Sequence, residues 1–320
     1  MENKIKCASF FAGVGGIDIG FESTDLFKVI YANEIDANAV KTYETNFNTK
    51  VDCQDIHNVE PKNLPNFDIM LGGFPCQAFS IAGYRQGFDD EKGRGSLFFE
   101  LIRIMKVKKP KVVFLENVKN LVSHDDGNTF RVILETLESC GYHVKYQVLN
   151  AKDFGNIPQN RERIYIVAFR NKKLYQKFEF PSPIELTTKL EDMIDFETKI
   201  DKKFYYSKDN CCFFDQLKAE INQPSTIYQW RRVYVRQNKS GVCPTLTANM
   251  GMGGHNVPLI LAKNGIRKLT PHECFNLQGF PFDYKLPADM AMTHLYKQAG
   301  NSVVVSVIHR IAQNIYEALK

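Results

Sequence analysis

No apolar run in this chain of 320 residues approaches the ~20 residues that a membrane-spanning helix needs, so no transmembrane segment is expected. Residues 1–6 are polar and charged, which is not the pattern of a secretory leader. The eight cysteines include no Cys-x-x-Cys pair and the seven histidines are scattered singly, so neither a structural zinc site nor any other metal is expected. These absences point to a reducing cytoplasm and free thiols. No internal repeat or low-complexity tract is present either. One more absence is local: residues 221–272 contain no Asp or Glu, yet Arg231, Arg232, Arg236, Lys239, Lys263, Arg267 and Lys268 fall within them. With a net charge of only +5, this segment is where the basic character collects, and it reads as a surface facing phosphates.

What is present is 44% hydrophobic content, enough for one large core or for a large and a small domain. Residues 5–11 read as a first strand running directly into Ala12-Gly13-Val14-Gly15-Gly16 and then a helix. Strand, glycine turn and helix suggest a nucleotide-type cofactor. A Walker loop is excluded because no Lys-Ser/Thr follows, and Asp18 stands where the dinucleotide pattern has its third glycine. Roughly twenty residues on, the spacing that pattern uses, a second apolar run ends at Asn33-Glu34. Glu34 is placed to accept both hydrogens of a ribose diol. Asp36 is the expected cap of a helix through Tyr43. Residues 51–55 read as a short third strand with Asp55 at its end, in reach of an adenine amino group.

The chain is organised around Leu71-Gly72-Gly73-Phe74-Pro75-Cys76-Gln77-Ala78-Phe79-Ser80. Residues 67–71 read as a buried strand, the two glycines let the backbone turn, and Pro75 orients the loop that carries Cys76. Ligands bind at the carboxyl ends of strands in open α/β sheets, so a thiol there is well placed. After a long polar loop, residues 96–105 have helical spacing and 111–118 read as a strand whose exit carries Glu116. A helix over 130–140 and a strand over 142–149 follow. If Arg161 and Arg163 both lie in extended backbone, the period of two puts their guanidinium groups on one face, suited to an anion or a base edge. Seven strands with intervening helices give an α/β, doubly wound, mostly parallel sheet. Past Pro181-Ser182-Pro183 the regularity stops. Short apolar runs, a Gly-rich piece at 245–254 and Trp230 beside Arg231 and Arg232 read as a second, smaller, irregular domain that grips nucleic acid. The expected division is 1–182, completed by 296–320, and 183–295.

Taken in order over nearly the whole chain, these motifs resemble those of the DNA cytosine-5 methyltransferases of bacterial restriction-modification systems. The resemblance rests on Phe11-Ala12-Gly13-Val14-Gly15-Gly16, Pro75-Cys76, Glu116-Asn117-Val118, and Gln159-x-Arg161-x-Arg163. It continues through Arg267-Lys268-Leu269-Thr270-Pro271-His272-Glu273-Cys274, Gln278-Gly279-Phe280-Pro281 and Gly300-Asn301-Ser302-Val303. His272 departs from the pattern, since many relatives carry arginine there. The Cys-Phe-Thr tripeptide of the related RNA-modifying branch is absent.

The resemblance implies a Rossmann-like methyltransferase sheet with S-adenosylmethionine as cofactor and S-adenosylhomocysteine as product. Its cofactor contacts would be Phe11, Ala12, Gly13, Gly15, Gly16, Glu34, Ile35, Asp55, Ile56, Pro75, Leu97, Asn301, Ser302 and Val303. It implies Cys76 as nucleophile, with Glu116, Arg163, Arg161 and Gln77 completing the catalytic set. Ser80, Ala82, Arg231, Arg232, Arg236, Thr247, Gly253 and Gly254 would contact DNA. The implied partner is double-stranded DNA, bound by a monomer, with a restriction endonuclease as functional counterpart.

Overall fold

The apolar runs of the first half become short, nearly continuous buried strands with helices between them. The computed structural model describes residues 4–75, 97–231, 233–252 and 257–320. In chain order come β1 (Ile5–Phe10), α1 (Gly16–Glu22), β2 (Phe27–Asn33), α2 (Ala37–Asn46), β3 (Val51–Asp52) and β4 (Ile69–Gly72). Then come α3 (Leu97–Lys108), β5 (Val112–Val118), α4 (Asn128–Ser139), β6 (His143–Asn150), α5 (Ala151–Phe154), β7 (Gln159–Asn160), β8 (Glu162–Phe169) and α6 (Lys172–Lys177). Seven of these strands form one sheet in the order β3-β2-β1-β4-β5-β8-β6. Pairing is parallel from β3 through β5, and β8 runs antiparallel to β5 from Val112↔Phe169 to Val118↔Arg163. The doubly wound, mostly parallel sheet expected from the sequence is present. Its order reverses at β1, with β2 on one side and β4 on the other, so a crevice opens at the carboxyl ends of β1 and β4.

Alternation along the strands sets the two faces. Val113 and Leu115 of β5 join Phe10 and Met70 in a core covered by Leu101, Ile102 and Met105 of α3 and by Ile133 and Leu137 of α4. Phe114, between them, meets Phe21 of α1 edge-on at 5.3 Å on the opposite face. There helix α10 (Val305–Leu319) also packs, through Tyr316 against Phe27 at 6.2 Å. By the same alternation Glu116 falls on the face of Phe114.

Asp18, the residue that breaks the dinucleotide pattern, ties this face together. Fully buried, it accepts hydrogen bonds from the Ser9 hydroxyl at 2.6 Å and the Tyr43 hydroxyl at 2.7 Å, joining β1, α1 and α2. Burial pushes its carboxyl up to about 6, and the two hydroxyl donors only partly offset this. A native pKa above the unfolded value of 3.8 means that the folded protein holds the proton more tightly. The contribution is therefore complete below pH 3.8 and is lost as pH rises through 6. Its size is ~3 kcal/mol. Asp18→Asn is expected to remove this slope, so the variant gains on the wild type between pH 4 and pH 7 in urea unfolding. A constant difference across that range would show that Asp18 titrates normally.

By chain contacts the protein divides into two units: Met1–Leu149, Glu162–Ser182 and Ile308–Lys320 form the first, and Asn150–Arg161 with Pro183–Val307 the second. The boundaries differ from the expected 1–182 plus 296–320, because residues 150–161 and 296–307 belong with the second unit. The reason is local pairing. Strand β7 pairs in parallel with β11 (Cys243–Pro244), and the Gln159 amide donates to the Leu277 carbonyl at 2.6 Å. The second unit also holds α7 (Phe214–Glu220), β9 (Tyr228–Trp230), β10 (Val235–Gln237), β12 (Leu259–Ala262), β13 (Gly265–Lys268), α8 (Pro271–Asn276) and α9 (Met292–Asn301). Its four-stranded sheet runs β10-β9-β12-β13 over a small core of Leu217, Ile221, Tyr228, Trp230, Leu259 and Ile266.

Arg267 corrects the reading of the basic segment as wholly phosphate-facing. It is fully buried and binds both Glu273 oxygens, at 2.8 and 2.6 Å, and the backbone of Asp195 and Lys268. Desolvation of a guanidinium demands such a partner, and Glu273 supplies it while also closing the capping box of α8 with Thr270.

Gly300 in α9 is fixed by a close approach of backbone. An added Cβ would lie 2.2 Å from the Thr247 carbonyl, which no side-chain rotation relieves. Gly300→Ala is expected to cost about 3 kcal/mol in urea unfolding. A wild-type midpoint would mean that the 247–248 backbone yields freely.

Candidate active site

The glycine turn after β1 folds back onto the end of β2. Ala12 N–H donates to the Asn33 carbonyl at 3.0 Å, and Gly13 N–H to Glu34 Oε2 at 2.9 Å. Phe11, at φ +55°, is a non-glycine residue in left-handed backbone, a strain that commonly marks functional turns. Gly15, at φ +80°, is required twice over, since a Cβ there would also strike the Phe47 ring at 2.4 Å. Glu34 Oε1 accepts from the Ile35 and Asp36 amides at 2.9 and 2.8 Å, so the carboxylate is held rigidly at the mouth of the crevice. Beside it Ile35 is 63% exposed, a large apolar side chain left uncovered where a flat ring would pack. Ala12 and Gly16 complete the turn and the first residue of α1.

Asp55 is not the end of a strand. Strand β3 stops at Asp52, because the Asn33 side-chain amide takes the Asp52 and Gln54 carbonyls, each at 2.9 Å, and draws the backbone out of the sheet. Asp55 instead caps a short 3-10 turn, Ile56–Asn58. Its Oδ1 accepts from the His57 amide at 3.0 Å and lies 2.6 Å from His57 Nδ1. These bonds, the backbone one foremost, hold its carboxyl below the usual range. Ile56 is buried beneath the turn.

At the end of β4, Gly73 lies between Ile17 and Glu116. A Cβ there would sit 3.6 Å from Glu116 Oε2. Glu116 is nearly buried, and Arg163 Nε reaches its Oε1 at 3.1 Å across the antiparallel β5–β8 pair. Glu116 and Arg163 are thus brought together as a catalytic pair would be. Arg161 does not join them. It lies outside β8 in the second unit, nearly fully buried, and its guanidinium donates to the carbonyls of Leu246 (2.8 Å), Gly300 (3.0 Å) and Ser302. The condition for a shared face is not met, because β8 begins only at Glu162 and Arg161 falls in the break between it and β7.

Pro75 is exposed at the end of the described segment, and Leu97 opens α3. Cys76, Gln77, Ser80, Ala82, Arg232, Gly253 and Gly254 lie outside the described residues. Among the other cysteines Cys7, Cys243 and Cys274 are buried, and burial pushes their thiols up, which disqualifies them as nucleophiles. In the second unit Arg231, Arg236 and Thr247 are exposed, Ser302 and Val303 are buried, and Asn301 is exposed at the end of α9.

Two further residues, to which the sequence alone assigns no role of their own, act as positioning groups. Asn117 is buried, and its amide donates to the Phe74 carbonyl at 2.8 Å, fixing the backbone just ahead of Pro75. Asn33 performs the same service for the 52–54 backbone. A buried asparagine at a strand exit next to a glutamate is the signal in both cases.

Comparison with known proteins agrees with this geometry. The profile of C-5 cytosine-specific DNA methylases matches residues 5–317. A protein named Type II methyltransferase M.Bsp6I, from Bacillus sp. (strain RFL6), is 62% identical over 98% of this chain and 99% of its own. Type II methyltransferase M.HhaI of Haemophilus parahaemolyticus is 40% identical over 98% of this chain and 95% of its own. Among solved structures, a Spodoptera frugiperda DNMT2 mutant has a TM-score of 0.75 at 21% identity, covering 98% of this chain and 100% of its own. Entamoeba histolytica methyltransferase EhMeth has a TM-score of 0.77 at 19% identity over the whole of both chains. The structural neighbours establish the fold alone. With the glycine turn, the acidic strand exits and the Glu116–Arg163 pair in place, the sequence matches show that this chain belongs to the C-5 cytosine-specific DNA methylase family.

Proposed function

We infer that the protein methylates carbon 5 of a cytosine flipped out of duplex DNA, through a transient covalent bond from Cys76 to carbon 6. The observation that carries this reading is the Arg163–Glu116 pair beside Gly73, three residues ahead of Cys76 in the chain. Carbon 5 of cytosine is a poor nucleophile. Addition of the Cys76 thiolate at carbon 6 moves the ring's electron pair toward carbon 5 and nitrogen 3. Glu116 gives its proton to nitrogen 3 as that charge develops, and Arg163 balances the carboxylate left behind. S-adenosylmethionine, when bound, supplies an electrophilic methyl group. Once carbon 5 is methylated, loss of its proton to a base and departure of the Cys76 thiolate restore the ring, and the nitrogen 3 proton returns to Glu116.

The residues present fit that cofactor. Glu34 is oriented for ribose hydroxyls, Asp55 keeps Oδ2 for an adenine amino group, and Ile35 offers an uncovered apolar face.

Flipping the base costs a few kcal/mol, which the second unit must offset by holding the duplex. Its β9–β10 hairpin suits this. Trp230 stacks on Phe213 at 4.2 Å, the Gln216 amide donates to the Val233 carbonyl at 3.0 Å, and the hairpin presents Arg231, Val233 and Tyr234 near its tip and Arg236 on β10 to solvent. Arginines meet phosphates or guanine edges, and the exposed Val233 and Tyr234 meet base edges. The 62% identical relative is named a Type II methyltransferase. We propose in addition that the protein acts in the cytoplasm, as a monomer, as the modifying counterpart of a restriction endonuclease at a short duplex site.

Duplex oligonucleotides carrying 5-fluorocytosine test the chemistry, because fluorine blocks the final proton loss. With S-adenosylmethionine, mass spectrometry is expected to find an adduct mapping to Cys76. An adduct on fluorinated RNA and none on a varied DNA pool would overturn the assignment.

A further inference from the structure

The connection from β3 to β4 carries Asp55 and Ile56 yet contains only two single 3-10 turns, Ile56–Asn58 and Pro61–Asn63. A segment with so few internal hydrogen bonds places a functional side chain accurately only when its backbone is tied from outside. Helix α3 supplies two such ties. Arg103 Nη2 donates to the Ile56 carbonyl at 3.0 Å, and Lys108 Nζ donates to the Leu64 carbonyl at 2.5 Å. The Arg103 bond bears directly on the Asp55–Ile56 turn, the Lys108 bond on the backbone beyond it.

Arg103 is itself aimed. Its Nε donates to Glu100 Oε2 at 2.7 Å, one turn back on the same helix, and that contact fixes the guanidinium plane so that Nη2 faces Ile56. The arginine side chain is 36% exposed, so the ion pair adds little stability. What it adds is geometry. On the other flank Asn33 holds the Asp52 and Gln54 carbonyls, so the turn is gripped from β2 before Asp55 and from α3 after it. With Oδ1 engaged by His57, the direction of the remaining Asp55 oxygen depends on this grip.

We propose that Arg103 is a positioning residue for the adenine side of the cofactor site, acting through the Ile56 carbonyl to set cofactor affinity without touching the cofactor. This rests on the reading of Asp55 and Ile56 as adenine contacts. Arg103→Ala lets the turn relax by a fraction of an ångström to an ångström, enough to weaken S-adenosylmethionine binding about 10- to 50-fold. The bond from Lys108 is of the same kind and comes from the same helix, but it lies outside the turn. It therefore separates positioning from mere support.

The test is calorimetric titration of S-adenosylhomocysteine, together with steady-state kinetics, on Arg103→Ala, Arg103→Lys, Lys108→Ala and Asp55→Ala. Expected for Arg103→Ala is a rise in Kd and in KM for S-adenosylmethionine of about 10-fold or more, with kcat at saturation within about 3-fold. Arg103→Lys keeps a donor for Ile56 and recovers much of the affinity, and Lys108→Ala leaves Kd and KM unchanged. Unchanged Kd in Arg103→Ala, with binding lost in Asp55→Ala, would overturn the role of Arg103 and leave the adenine site standing. Equal losses in Arg103→Ala and Lys108→Ala would reduce both to structural support. Wild-type affinity in Asp55→Ala would remove the adenine assignment and the proposal together.

Discussion

Cys76→Ala is expected to lower single-turnover methyl transfer by roughly 10⁴-fold or more while duplex DNA binding stays within a few-fold. The asymmetry follows from what the thiolate does. Without addition at carbon 6, carbon 5 stays inside an aromatic, electron-poor ring, and neither Glu116 nor Arg163 can make it nucleophilic from the nitrogen 3 side. On the proposed reading DNA affinity comes from other groups, the exposed arginines of the second unit among them, and those remain. Cys76→Ser separates the two aspects further, because a hydroxyl fits the space but carries almost no alkoxide at neutral pH. The readings are transfer of a labelled methyl group with enzyme in excess, and gel-shift affinity for the same duplex. Methyl transfer by Cys76→Ala at more than a hundredth of the wild-type rate would end the covalent mechanism.

Glu116→Gln is expected to reduce kcat by about 10²- to 10³-fold. Glutamine keeps the length and can donate an amide hydrogen to nitrogen 3, but it cannot transfer a proton, so the charge built up by thiolate addition is only partly met. Formation of the 5-fluorocytosine adduct should slow by a similar factor, which places the defect before methyl transfer. A second effect must be kept apart from this one. Arg163 and Glu116 are both nearly buried, at 13% and 11% side-chain exposure, so losing the carboxylate leaves an uncompensated guanidinium. That costs about 3 kcal/mol. The double variant Glu116→Gln with Arg163→Met removes the unpaired charge. It should recover stability while activity stays low. An active double variant would show that the glutamate matters only as a partner for arginine.

Much of this architecture is legible in the residues because local and global signals agree. Apolar runs such as 112–115 are buried on both faces, which is why they read plainly as central strands. The Phe11 to Gly16 turn announces itself by its glycines, and Glu34 by the strand that ends at it. Illegible features depend on partners distant in sequence. Nothing near Asp55 says that the Asn33 amide will end β3 at Asp52. Arg161 and Arg163 have the same type and a spacing of two, yet one serves three backbone carbonyls and the other a carboxylate, according to which side of residue 162 the sheet begins. Arg267 looks like its basic neighbours until Glu273, six residues on, is seen beside it. In the sequence Asp18 reads only as a missing glycine, because a buried carboxylate needs two hydroxyls that no local motif contains.

The division of the chain has a consequence for inheritance and engineering. The backbone passes between the two units four times, at 149/150, 161/162, 182/183 and 307/308, and the last passage lies inside helix α10. If the second unit reads the DNA, as proposed, a new sequence specificity cannot be acquired cleanly by exchanging 183–295 alone. Such a transplant leaves Asn150–Arg161 and residues 296–307 of the recipient facing a foreign partner, and of the three carbonyls that Arg161 must find, that of residue 246 then comes from the donor. Successful recombinants should be those whose junctions carry Gln159, Arg161 and the Gly300-Asn301-Ser302 stretch along with the incoming segment, or whose donors already share them.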